Sequence, residues 1–149
     1  SRLSRQAIVD TYLALALYYS GDAERARTML ESLANNRSAS TSARASIALA
    51  GVLAAQRDAA AAHLLVERVL AGSYRDHHVA YGLGAAFAQL GDAQRATQWL
   101  KIAADTGFPC LPFFERDPLL EPLRRGTEFP SLLDYVRKRR DSSLSTVNQ

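Results

Sequence analysis

Five groups of residues in this 149-residue chain are of types that do chemistry. The stretch GLGAAF at residues 82–87 half-matches a GxGxxG phosphate cradle. That cradle works only where a strand enters a tight turn and a helix N-terminus follows. Phe87 stands where the third glycine belongs and no strand pattern precedes it, so the stretch reads as helix interior with Gly84 as a small packing residue. His77 and His78 are adjacent, with His63 expected on another helix. Two metal ligands on one helix face sit three or four residues apart, whereas neighbours point about 100° apart. No metal site is expected, and the pair reads as a helix start following Asp76. Cys110, the single cysteine, has no partner for an internal disulfide or a four-cysteine metal site, and beside its prolines it reads as small and semi-buried. Glu115, Asp117 and Glu121 group carboxylates of the kind that support acid–base work. Asp117 before Pro118 has the capping pattern instead, and no cleft is evident. Arg137, Lys138, Arg139 and Arg140, with Arg124 and Arg125, are the only concentrated charge. They read as a solvated helix C-terminus, where cations suit the dipole, with phosphate or acidic-partner contact as the alternative. No catalytic residue and no cofactor is expected, so the chain is not read as an enzyme.

The elements that must position any site are helical. Alanine and leucine dominate, and glycine and proline are confined to a few places. Lys+Arg is 18 and Asp+Glu is 15, a net charge of +3 that falls short of a nucleic-acid-binding stripe. No run of about 18 apolar residues crosses a membrane. The start, SRLSRQAIVD, has no apolar leader core and no initiator Met, so the chain is read as a piece of a longer protein. One cysteine fits a reducing, cytoplasmic setting. Ile8, Tyr12, Leu15 and Tyr19, with Leu13, Ala16 and Leu17 between them, predict a first helix apolar on most sides and sandwiched between neighbours. It stops at Ser20-Gly21; Asp22 caps the next helix and Glu24 suits its first turn. GDAERA at residues 21–26 is therefore a stop, a cap and a restart, and GDAQRA at 91–96 repeats it after a helix expected at 76–90.

A worn copy lies between them in QRDAAA, where Asp58 stands as Asp22 and Asp92 do. The steps are 36 residues (22 to 58) and 34 residues (58 to 92), the extra two falling in a polar loop expected at 35–42. A 34-residue helix-turn-helix period is that of the tetratricopeptide repeat, and the chain resembles that family position by position. Ala14, Ala50 and Gly84 fill its eighth, small position, and Ala26, Ala62 and Ala96 its twentieth. Leu13, Leu49 and Leu83 fill the seventh; Leu17, Leu53 and Phe87 the eleventh; Leu30, Val66 and Leu100 the twenty-fourth. The fourth, often Trp, has Asp10, Ser46 and Ala80, and the terminal Pro is missing. The resemblance implies an all-α fold, a right-handed α-solenoid of three hairpins at about 7–38, 43–76 and 77–110.

Residues 111–140 read as a proline-rich connector and a capping helix. Pro109, Pro112, Pro118 and Pro122 forbid a long helix before Arg125. Phe129, Leu132, Leu133 and Val136 then predict an amphipathic helix at about 128–140 capped by Thr127, and residues 141–149 read as tail or linker. The text FFERDPLLEPLR with FPSLL resembles the segment closing tetratricopeptide arrays in bacterial signalling proteins, which carry a serine/threonine kinase, winged-helix regulator or cyclase domain. It implies a protein-interaction scaffold at the C-terminus of such a protein. The groove of that family would carry Ile8, Thr11, Leu15, Tyr18 and Tyr19 from the first hairpin, Arg44 and Ile47 from the second, and His78, Tyr81 and Gln89 from the third. The expected partner is a protein or peptide, with self-association or docking on an upstream domain as the alternative. DNA contact through the basic helix is a further alternative.

Overall fold

The stop-and-cap wording folds the same way three times. Residues 2–147 are described by a computed structural model, which divides into two compact units over residues 1–75 and 76–149. The first unit holds α1 (Arg2–Tyr19), α2 (Ala23–Ala34), α3 (Ala39–Ala55) and α4 (Ala59–Ala71). The second holds α5 (His77–Gln89), α6 (Ala93–Asp105), α7 (Leu111–Arg116), a 3-10 turn (Pro118–Leu120), α8 (Glu121–Arg124) and α9 (Phe129–Val147). The described residues contain no strand, so the fold is all-α.

At each hairpin the chain closes its helix with the same pair of backbone bonds. Asp22 N–H donates to the Leu17 carbonyl at 2.9 Å and Gly21 N–H to that of Tyr18 at 3.0 Å. Asp58 and Arg57 donate to Leu53 and Ala54 at 2.9 and 3.0 Å; Asp92 and Gly91 donate to Phe87 and Ala88 at 2.9 and 3.2 Å. Each aspartate then accepts the N–H of the residue three on: Arg25 at 3.2 Å, Ala61 at 3.2 Å and Arg95 at 3.0 Å. The left-handed position is glycine in two turns, φ 99° at Gly21 and 82° at Gly91. In the worn copy Arg57 holds it at φ 71°, where a Cβ crowds the following carbonyl. Arg57→Gly is therefore expected to stabilise the protein by about 0.5–1 kcal/mol, the relieved strain outweighing glycine's larger unfolded-state entropy. Urea unfolding followed by circular dichroism checks this; an unchanged or lower midpoint contradicts it.

Within the first unit α1 packs on α2, α3 on α4, and α3 also on α1 and α2. Ala14, Ala26, Ala50 and Ala62 are fully buried, so small residues stand where these helices are packed. Leu30, fully buried, fills the space beside them, a burial worth about 1.5–3 kcal/mol. In the second unit α5 packs on α6, and a Cβ on Gly84 would lie 2.5 Å from Leu100 Cγ. α9 lies on α6 and α7, burying Phe129, Leu132 and Val136.

Several expectations are corrected. The loop expected at 35–42 is shorter, because Ser38 caps α3 and the helix starts at Ala39. α1 reaches back to Arg2, and it is not sandwiched: Val9, Leu13 and Ala16 are exposed. α9 begins at Phe129, one residue late for a Thr127 cap, and continues through Val147. Residues 141–147 are thus helix rather than linker; no Gly or Pro follows Pro130 to break it, and Ser142, Ser143, Ser145 and Thr146 hydroxyls donate to carbonyls four residues back. Asn148 and Gln149, also assigned to the tail, lie outside the described residues.

Candidate functional site

In the first unit the sequence-assigned residues separate by burial. Thr11 and Ile47 are buried, so neither is available to a partner. Thr11 is turned to its own helix, its hydroxyl donating to the Ala7 carbonyl at 2.9 Å. Ile8, Leu15 and Tyr18 are half-buried and Tyr19 is exposed. The Tyr18 and Tyr19 rings lie 5.7 Å apart, tilted. Burial pushes the Tyr18 hydroxyl above its ordinary value, so it stays protonated and able to donate. Arg44, half-buried, donates from Nη2 to the Tyr74 hydroxyl at 2.6 Å and lies over its ring. Tyr18 and Tyr19 combine apolar ring area with a hydroxyl, as interface anchors do.

Ser46 borders a hollow of about 280 Å3 with Arg68, Val69 and Tyr74. Asp10 borders one of about 450 Å3 with Leu3, Leu33 and Thr41.

In the second unit the corresponding face of α5 is already occupied by the chain's own tail. Tyr81 is buried, its ring edge-on to Phe108, Phe113 and Phe114 at 5.2, 5.5 and 5.3 Å. Its hydroxyl donates to Asp117 Oδ2 at 2.7 Å. Asp117 is buried too, and its Oδ1 accepts the Leu119 N–H at 2.9 Å, the capping role expected of it. Gln89 donates from Nε2 to the Leu119 carbonyl at 2.8 Å, and His78 stands 6.1 Å from the Phe108 ring. Tyr81 is therefore corrected from an open groove residue to part of the seat of residues 108–120, with half-buried Gln89 and His78 beside it. Arg124 fixes that segment, donating to the carbonyls of Glu115 at 3.1 Å and Asp117 at 2.6 Å. Its Nε meets Glu121 at 3.0 Å, and this hydrogen bond, with the charges of Arg124 and Arg125, holds the Glu121 carboxyl below its usual range. Sequence reasoning missed Phe108, Phe113, Phe114 and Arg124 as a group. Their one local signal is the Asp117-Pro118 cap, which says where a turn starts and not where it docks.

The other candidates resolve plainly. His77 opens α5 behind the Asp76 cap and stacks on Phe108. Among the described residues no cluster of histidine, cysteine and carboxylate is arranged for a metal. Cys110 is exposed rather than semi-buried, because α7 starts after it and turns Leu111 inward instead. The basic cluster lies mid-helix rather than at a helix end, since α9 runs on to Val147. Arg137 and Lys138 meet Asp134 at 3.8 and 3.0 Å, and Arg139 meets Asp105 at 2.7 Å and Tyr135 at 3.3 Å. The bond that Arg139 donates to Tyr135, then the charge of Asp105, push the Arg139 pKa up further. These partners offset the charge that a nucleic acid would need. No helix among the described residues is long and apolar enough to cross a membrane.

The chain was compared with protein-family models, curated proteins and solved structures. None matches it.

Proposed function

We propose that the chain is a protein-interaction scaffold of tetratricopeptide type. On this reading three helical hairpins form a right-handed α-solenoid closed by α9, the interaction or regulatory region of a larger bacterial signalling protein. The observation that carries it is the hairpin turn, made three times with the same bonds at steps of 36 and 34 residues. The buried small pairs Ala14 with Ala26, Ala50 with Ala62 and Gly84 with Ala96 support it. A scaffold of this kind works by recognition and needs no cofactor. The partner is a peptide or protein segment with apolar anchors and acceptors for tyrosine hydroxyls, received by Ile8, Leu15, Tyr18, Tyr19 and Arg44.

Intramolecular docking is the second reading, and it has its own support. The tail seats phenylalanines and an aspartate on α5, so this chain already uses one hairpin face to hold its own segment.

Selection from a phage-displayed peptide library tests the first reading. Peptides enriched on the intact chain should lose at least about 30-fold in affinity for Tyr18→Ala/Tyr19→Ala, as for paired hot-spot tyrosines. Equal binding by the variant, at unchanged helicity, contradicts the assignment.

A further inference from the structure

One buried hydroxyl of the first unit stands without use. Ser46 of α3 is 1% exposed, and its Oγ meets no hydrogen-bond partner among the described residues. Buried hydroxyls are normally paired, because water no longer serves them. Ser46 borders the hollow of about 280 Å3 that α3 shares with the end of α4 and residues 72–74. A group seated in that hollow is placed to supply the missing partner.

The surrounding charges say what that group is. Arg68 borders the hollow and uses one nitrogen, Nη2, which donates to the Ala34 carbonyl at 3.2 Å and to Ser42 Oγ at 3.5 Å. Among the described residues its Nε and Nη1 make no bond and it meets no carboxylate. No carboxylate lines the hollow, and Glu67, beside Arg68 in the chain, is exposed outside it. The Val69 and Leu70 carbonyls at the end of α4 would repel an anion, but Arg75 covers them at 2.8 and 2.9 Å. Spare donors without acceptors call for a ligand that brings acceptors and negative charge, and the guanidinium fork matches a carboxylate. Ala39, Ala43 and Val69 give the same hollow aliphatic walls. A cavity of about 150 Å3 holds one benzene ring, so this one has room for a ring and a carboxylate.

We infer that this hollow binds a small monocarboxylate with a compact apolar body, its oxygens taken by Arg68 and Ser46 and its body by the aliphatic walls. The carboxylate belongs to a free acid or to a peptide terminus. Amide chemical shifts of the intact chain, titrated with phenylacetate at pH 7, read the binding. Saturable shifts are expected in residues 39–46 and 68–74, with a Kd between about 0.1 and 3 mM for so small a ligand. Phenylacetamide keeps the shape without the charge, and inorganic phosphate the charge without the body. Each should bind at least about tenfold more weakly. Arg68→Met should weaken phenylacetate at least about tenfold. Ser46→Ala should weaken it about threefold or more while raising the urea midpoint, because the unpaired hydroxyl is gone. A serine that only packs would not lose affinity as stability rises. No saturable shift up to about 10 mM overturns the proposal. So does phenylacetamide or phosphate binding as tightly, or unchanged affinity in Ser46→Ala. Acetyl-alanyl-phenylalanine separates the two sources. Tighter binding than phenylacetate assigns the carboxylate to a peptide terminus, weaker binding assigns it to a free acid, and either upholds the site. Tyr18→Ala/Tyr19→Ala leaves phenylacetate binding in place, so failure of this site and failure of the peptide face are seen separately.

Discussion

Tyr81→Ala is expected to destabilise the second unit by about 3–5 kcal/mol. The ring is buried among Phe108, Phe113 and Phe114, so truncation opens a cavity at the centre of an aromatic cluster. It also removes the donor to Asp117 Oδ2, leaving a buried carboxylate with less compensation. Tyr81→Phe separates the two terms. It keeps the ring and loses only the hydroxyl, for an expected cost of about 1–2 kcal/mol. Asp117 still accepts from Leu119 N–H in that variant, which keeps the loss modest. Urea unfolding of both variants checks this. A surface-exposed, partner-binding tyrosine would behave otherwise: Tyr81→Ala would leave the unfolding midpoint where it was, and that outcome would contradict the seating of the tail on α5.

Gly84→Val is expected to cost about 3 kcal/mol. Its Cβ would fall 2.5 Å from Leu100 Cγ, 2.7 Å from Leu100 Cδ2 and 3.2 Å from the Ala96 carbonyl oxygen. Leu100 is fully buried, and the Ala96 contact is backbone. α5 and α6 must move apart or distort. In the background of Leu100→Ala, itself destabilising by about 2–5 kcal/mol, the same substitution should be less costly by about 1–2 kcal/mol, since the new methyls then enter the vacated space. A double-mutant cycle by denaturation gives that coupling. Strict additivity would mean that residues 84 and 100 do not meet.

The hairpins were legible because their information is local. A glycine that accepts positive φ and an aspartate that caps the next helix lie side by side, so six residues state the whole turn. Asp58 makes the same cap without a preceding glycine, and Arg57 takes the left-handed backbone in its place. Gly84 was legible for a similar reason, as the small member of a small–large pair. The tail was not. The bond from Tyr81 to Asp117 spans 36 residues, and nothing in the periodicity around either one indicates the other. The bare face of α1 was hidden for the opposite reason: a helix apolar on most sides reads as buried, yet Val9 and Leu13 have no described neighbour over them. α9 outran its apolar pattern because, once nucleated, a helix without glycine or proline breakers adds one backbone bond per residue.

These points divide the hairpin faces by what they hold. α5 holds the chain's own aromatic tail, whereas the proposed peptide face lies on α1, where Tyr19 is exposed and Tyr18 half-buried. Hydrogen–deuterium exchange on the intact chain, with and without a peptide selected on it, tests that division most directly. The account predicts slowed exchange confined to α1 and the first turns of α3, with α5 to α8 unchanged. Slowed exchange across residues 77–124, or none in α1, would contradict it.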